Sequence, residues 1–274
     1  MKNYWSLIRG HKRPARFVLA RLLMLTGACR LLTIPQAGYR LRFHPANRSS
    51  QLWIDPDERV DELQFLRDYL KPGDRVVDVG ANVGETVLTA AVGVGPEGHV
   101  TGIEPHPKTF QFLSDNVRLN GVSNVALINS AVGCTSGVVT FSDDRRDDMN
   151  RVGEGGLRVP VERLDALVPD RGPVALLKVD VEGYERFVFE GAPALLNRTA
   201  AVFFEVSSSH FARFGYHTRD VLALLARTGF TVFRISRPNR LVSITEDFDT
   251  DAFENLVALR DADEGRRRTG WTIG

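Results

Sequence analysis

Val76-Val-Asp-Val-Gly-Ala-Asn-Val-Gly-Glu-Thr86, followed by His99-Val-Thr-Gly-Ile-Glu-Pro105, is the stretch whose reading decides the fold. Val76, Val77 and Val79 form an apolar run without polar alternation, just after the turn residues Pro72-Gly-Asp74, as expected of a strand buried on both sheet faces. Gly80 and Gly84 bracket Asn82, so the backbone between them can take positive φ and approach a ligand with no Cβ in the way. Glu85-Thr-Val-Leu-Thr-Ala-Ala91 is apolar at helical spacing, and the turn therefore feeds a helix whose free N–H groups face the strand end. His99 to Glu104 reads as a second apolar strand, entered through Gly95-Pro-Glu-Gly98 and ending on a carboxylate.

A strand, glycine turn and helix also serve dinucleotides, whose fingerprint G-x-G-x-x-G receives a pyrophosphate. Here the pattern is Gly80-x-Asn82-x-Gly84, without the middle glycine, which suits a ligand free of phosphates there, such as the methionine end of S-adenosylmethionine. Glu104 can accept hydrogen bonds from both ribose hydroxyls of an adenosine. NAD enzymes use an acidic residue in the same way, so Glu104 alone does not discriminate.

Outward from this centre, the pattern alternates. Strand 76 to 79, helix 85 to 93, strand 99 to 104, helix 107 to 119 and strand 124 to 129 make successive βαβ units and hence a parallel sheet, with Asn120-Gly121 stopping the second helix. Further strands are expected at Val138 to Phe141, Ala175 to Asp180, Ala201 to Val206, Thr231 to Ile235 and Asn255 to Arg260, with helices from Arg163, capped by Asp165, and over 218 to 228. Upstream, Val60, Leu63, Phe65, Leu66, Tyr69 and Leu70 mark a helix. Tyr39 to Phe43 and Gln51 to Ile54 alternate around Asn47-Arg-Ser-Ser50 and predict a β-hairpin. Arg266-Arg-Arg268 reads as a short solvated tail.

Asp78-Val-Gly-Ala-Asn-Val-Gly84, Ile103-Glu-Pro105, Asn129-Ser-Ala-Val-Gly133, Lys178-Val-Asp-Val-Glu-Gly-Tyr-Glu185 and Phe203-Phe-Glu-Val206, in this order, resemble the FkbM family of S-adenosylmethionine-dependent methyltransferases. The resemblance runs from about Leu41 to Arg260. It implies an α/β, Rossmann-like class I methyltransferase fold, a mostly parallel seven-stranded sheet with helices on both faces, preceded by the N-terminal helix and hairpin. It also implies bound S-adenosylmethionine and O-methylation of a hydroxyl on a sugar or secondary metabolite. N-methylation, or a non-catalytic module that binds S-adenosylmethionine or NAD, is the alternative.

Ligands of open α/β sheets sit outside the carboxyl ends of the strands, and Asp78, Glu104, Asn129, Asp180 and Glu205 all fall at or near such ends. Asp78 either orients the Gly80, Asn82 and Gly84 loop or meets the methionine ammonium. Thr86 joins the cofactor set at the start of the helix, Asn129 or Ser130 holds the adenine amino group or forms a turn, and His106 flanks the ribose or adenine. Lys178 and Asp180 share a strand face and can pair, leaving Asp180 beside the sulfonium. An alcohol needs its proton removed during in-line methyl transfer, and Asp180, Glu182 and His210 are the catalytic candidates, with Glu205 also in reach. The acceptor, a small molecule or glycan hydroxyl, is expected near His44, the 142 to 156 loop and Ser207 to Tyr216. Asp143, Asp144, Asp147 and Asp148 alternate with arginines and read as a self-neutralising loop, a lid in position, with no metal expected.

The 274 residues carry 43% hydrophobic side chains, and 35 basic against 34 acidic groups leave a net charge of +1. No global field attracts nucleic acid, and no nucleic-acid partner is expected. Cys29 and Cys134 lack C-x-x-C spacing, which points to a reduced, cytoplasmic setting and no cysteine zinc site. Lys12 to Arg16 precedes an apolar segment ending at Cys29, but Arg21 interrupts it, and a membrane span needs roughly 20 apolar residues. Residues 1 to 35 are therefore expected as an amphipathic helical extension that packs on the core, self-associates or lies on a membrane surface, and 36 to 274 as one methyltransferase domain.

Overall fold

The computed structural model describes residues 12–141, 156–169, 172–237 and 239–274, so the expected lid and its aspartates lie outside the described residues. Helix α1 (Pro14–Thr26) stops at Gly27 in the left-handed conformation, and a short 3-10 turn leads to β1 (Thr33–Pro35) and β2 (Arg40–Arg42). Helices α2 (Asn47–Ile54) and α3 (Val60–Tyr69) follow. Then come β3 (Arg75–Val79), α4 (Glu85–Val94), β4 (His99–Ile103), α5 (Pro107–Asn120) and β5 (Val125–Ile128), the expected alternation. Strands β6 (Ala131–Val132), β7 (Gly137–Phe141) and β8 (Leu157–Glu162) form a small separate sheet. Helix α6 (Leu164–Leu167), β9 (Val174–Val179), α7 (Glu185–Glu190), α8 (Pro193–Asn197) and β10 (Thr199–Val206) return the chain to the main sheet. Helices α9 (Ser208–Ala212) and α10 (Thr218–Arg227), strands β11 (Thr231–Ser236), β12 (Arg240–Ser243) and β13 (Glu254–Leu259), helix α11 (Ala262–Thr269) and β14 (Thr272–Ile273) complete the described chain.

The main sheet has nine strands in the order β14-β12-β11-β13-β10-β9-β3-β4-β5. Seven of them, from β11 to β5, are the expected sheet, and β12 and β14 extend one edge. Strands β10, β9, β3, β4 and β5 run parallel, while β13 is antiparallel to both of its neighbours. Side-chain alternation along the buried strands builds two cores. Val77, Val79, Leu177, Val179, Val202 and Phe204 pack on one face with α7, α8 and α10, whereas Val76, Leu176, Ala201 and Phe203 pack on the other with α3 and α4. A third cluster joins Ala20 of α1 and Cys29 to Phe43, Leu52 and Leu88, which seats the N-terminal elements on α4. Among the described residues no helix is long and apolar enough to cross a membrane.

Three local expectations are corrected. Gln51 to Ile54 is the end of helix α2, and β2 pairs instead with β1, through Ile34 opposite Leu41. Four alternating residues are too few to separate a period of two from one of 3.6, and Ser49, Ser50, Leu52 and Ile54 are all buried by the helix. Asp165 does not cap its own helix but accepts from Ala194 N at 3.0 Å and Leu195 N at 2.8 Å, at the start of α8. Arg266 to Arg268 lie within α11, capped by Asp261, and Arg268 stacks on Tyr69 and pairs with Asp74 at 2.6 Å.

Candidate active site

The chain leaves β3 for β4 and β5, then returns to place β9 on the other side of β3, so the order reverses between β3 and β9. Both strands end at this switch point, where open α/β sheets leave a crevice. Gly80 follows β3 and Asp180 follows β9, and the strand contact continues through Asp180 N to Val79 O at 3.0 Å. Gly80 has φ 81°, and a Cβ on it would lie 1.8 Å from the Asp180 carbonyl oxygen. Glycine is therefore required by handedness and by close approach of two backbones. Gly80 N and Ala81 N both donate to Ile103 O, at 2.9 and 3.0 Å, which fastens the loop to β4.

Beneath the loop, Lys178 donates to Gly80 O at 2.9 Å and pairs with Asp78 at 3.1 Å and Asp180 at 3.5 Å. Lys178 and Asp78 are buried, so the ammonium and the carboxylates are each other's main compensation. Burial pushes the Asp78 carboxyl up against the pull of Lys178. For Asp180 the same burial is outweighed by Lys178 and Arg59, which hold its carboxyl below the usual range. Asp78 reaches the loop only through Lys178, the ammonium that donates to Gly80 O.

Glu104 stands at the end of β4, nearly buried, and faces a cavity of about 590 Å³. Its Oε2 accepts from Asn82 N at 2.9 Å and its Oε1 from His106 N at 3.0 Å, so each oxygen keeps further acceptor capacity. Burial pushes this carboxyl up to about 7. Gly80, Asn82 and Asp180 line the same cavity. A cavity of this size, with a carboxylate held on its wall and a glycine turn beside it, fits the adenosine and methionine parts of S-adenosylmethionine.

Other expected cofactor residues do not stand on the wall of this cavity. Asn129 Nδ2 donates to Glu104 O at 2.8 Å and Pro105 O at 3.0 Å, and Ser130 Oγ donates to Ala131 O at 2.8 Å and Pro160 O at 3.2 Å. Gly84, at φ 94°, abuts Leu113, and Thr86 is buried in α4. His106 is buried with its ring 6.4 Å from that of Phe141, off the cavity wall. His44 stacks on Phe112 at 4.3 Å on a separate surface depression.

Asp180, Glu182, Glu205 and His210 come together on the wall of this cavity. Glu182 takes φ 57° and Gly183 φ 100°, so the chain turns sharply after β9, and a Cβ on Gly183 would touch His210 O at 2.9 Å. Glu185 holds the turn by accepting from Val181 N at 3.0 Å and Gly183 N at 3.4 Å, and burial pushes its carboxyl up to about 7. His210 Nδ1 lies 3.3 Å from Glu182 Oε2, with its ring edge-on to Phe253 at 4.7 Å. Burial, reinforced by Asp180, Glu182 and Glu185, raises the Glu205 carboxyl well above the usual range.

Sequence reading missed a wall. Arg48 and Gln51 of α2, and Arg59 and Glu62 at the start of α3, line the cavity. Arg48 pairs with Glu85 at 2.5 Å, Arg59 pairs with Glu62, and Glu62 Oε1 accepts from Asn255 Nδ2 at 2.9 Å. The signal was present in two polar pairs, each at i, i+3, which share a face only on helices.

A nucleoside-sized cavity at the switch point of a mostly parallel sheet, with an acidic residue ending the second strand, defines a protein built to bind an adenosine cofactor. Residues 78–232, more than half of the chain, match the profile of the methyltransferase FkbM domain, and the chain belongs to this family. Its fold is the class I methyltransferase fold and its cofactor is S-adenosylmethionine. The chain is also 28% identical to the hexuronic acid methyltransferase AglP of Haloferax volcanii, over 83% of this chain and 91% of the relative. It is 31% identical to protein-L-isoaspartate O-methyltransferase of Triticum aestivum, over 39% of this chain and 47% of that protein. A solved FkbM methyltransferase from Methylobacillus flagellatus superposes with a TM-score of 0.46 at 15% identity, covering 89% of this chain and 60% of the other.

Proposed function

We propose that this methyltransferase methylates a hydroxyl oxygen of a sugar or a similar polyol, free or within a glycan. The observation that carries the reading is that Glu104 and the Asp180, Glu182, Glu205 and His210 group line one cavity. Glu104 would hold the ribose through its free lone pairs, while the backbone of Gly80 and Asn82 would approach the methionine part. S-adenosylmethionine, when bound, supplies an electrophilic methyl group. Asp180, Glu182 and His210 would orient the acceptor hydroxyl and take its proton as the oxygen becomes nucleophilic, and alignment of the two reactants by the walls lowers the barrier further.

The cavity wall carries six carboxylates, Glu58, Glu62, Glu104, Asp180, Glu182 and Glu205, against Arg48 and Arg59. Such a wall accepts hydrogen bonds from several hydroxyls. The likeness to a hexuronic acid methyltransferase supports a sugar as the acceptor class. The reading is tested by incubating the purified chain with radiolabelled methyl donor and a panel of neutral sugars, polyols and amines, then analysing products by mass spectrometry. An O-methylated sugar or polyol is expected; turnover of amines alone overturns the proposal in favour of N-methylation.

A further inference from the structure

Glu182, Glu205 and His210 are more than three polar residues in one cavity. Each can offer a ligand atom, and the three ligand atoms lie within 4.8 Å of one another. They come from three places in the fold: the left-handed turn after β9, the end of β10 and helix α9. The turn and the helix are locked together, since the Gly183 backbone packs directly on the His210 carbonyl and Tyr216 Oη donates to Gly183 O at 2.6 Å. Glu205 supplies an independent observation. Its side chain lines the cavity, yet among the described residues no hydrogen bond or ion pair engages its carboxylate. Asp180, the next carboxylate along the wall, is already held by Lys178. Arg59, whose charge opposes the rise of the Glu205 carboxyl, is paired with Glu62.

We propose that Glu182, Glu205 and His210 form a binding site for a divalent cation of the Mn²⁺ type. Two carboxylates and one imidazole are a mixed oxygen and nitrogen donor set, suited to first-row divalent ions rather than to Ca²⁺, which takes oxygen ligands alone. At metal–ligand lengths of about 2.1 Å, ligand atoms on opposite sides of an ion are about 4.2 Å apart. A small rotation of the Glu182 and Glu205 side chains closes the remaining gap, while the backbone contact between Gly183 and His210 keeps the frame fixed. Three protein ligands leave coordination positions open toward the cavity. Two neighbouring hydroxyls of a sugar can fill such positions and become more acidic there; with Glu182 and His210 engaged as ligands, Asp180 on the same wall is left to take the proton as the oxygen accepts the methyl group and S-adenosylhomocysteine leaves. This role toward the acceptor rests on the methyl-transfer reading; the existence of the site does not.

The test uses the full chain stripped of metal by chelation and dialysis, with Mn²⁺ alone as the probe, by calorimetry and by loss of the free-ion electron paramagnetic resonance signal. One ion per chain is expected. Glu205→Gln and His210→Ala should each weaken Mn²⁺ binding by about tenfold or more. Both should retain binding of S-adenosylhomocysteine, which reports that the fold and the cofactor end are intact. Absence of Mn²⁺ binding at millimolar concentration in protein that binds S-adenosylhomocysteine overturns the proposal, as does Mn²⁺ affinity unchanged in both variants. Failure of the acceptor screen would overturn the methyl-transfer reading and leave these measurements standing.

Discussion

In the proposed reading Glu104 combines a ligand role with a cost to the empty fold. Burial raises its carboxyl to about 7, so it holds a proton in the folded chain at pH values where the unfolded chain has lost it. The stability this contributes is fully present below the ordinary carboxylate range and is lost as pH rises through about 7, by up to roughly 3 kcal/mol. Ribose hydroxyls donate to the ionised form, which gives cofactor binding the opposite slope. Affinity for S-adenosylhomocysteine should rise about tenfold per pH unit below 7 and level off above it, and Glu104→Gln should abolish that dependence in calorimetry while weakening binding by about 1.5–3 kcal/mol. Lys178 makes a second prediction. Lys178→Met leaves two buried or half-buried carboxylates without their ammonium, and urea denaturation should show a loss of about 3–5 kcal/mol. The pairing of Lys178 with Asp180 was legible from strand alternation. Its reach to Asp78 was not, because neighbouring strands are aligned by register, which a single sequence does not carry.

Among the elements, the glycine turn is the most constrained. Gly80→Ala would drive a Cβ into the Asp180 carbonyl at a positive φ, so either the turn or the end of β9 must move. A loss of about 1–3 kcal/mol in chemical denaturation, with impaired S-adenosylhomocysteine binding, is the expected result. The βαβ elements could be read from sequence because buried parallel strands are nearly continuous apolar runs: Val76 to Val79 and Ala175 to Val179 are short, rich in Val and Leu, and preceded by turn residues. Helix α2 was misread because its apolar residues are few and its remaining buried positions are serines. Asn129 and Ser130 illustrate the same limit at the site. A polar residue at a strand end is compatible with ligand contact or with loop bracing, and the carbonyls of Glu104, Pro105 and Pro160 that Asn129 and Ser130 donate to come from parts of the chain no local pattern announces.

Across the whole molecule, charge is distributed unevenly. The chain is nearly neutral, with a net charge of +1, yet six carboxylates face two arginines around the cavity. For a neutral sugar or polyol acceptor, kcat/KM should be insensitive to ionic strength. Steady-state kinetics across a salt series checks this. Arg48, Gln51, Arg59, Glu62, Phe253 and Asn255 stand on this wall, and all lie outside residues 78–232, where the family match resides. Part of the cavity rim therefore comes from segments flanking those residues, while Glu104, Asp180, Glu182, Glu205 and His210 lie within them. Changes in the flanking segments can alter the acceptor wall while Glu104 and the glycine turn stay in place, so one framework can serve several acceptors.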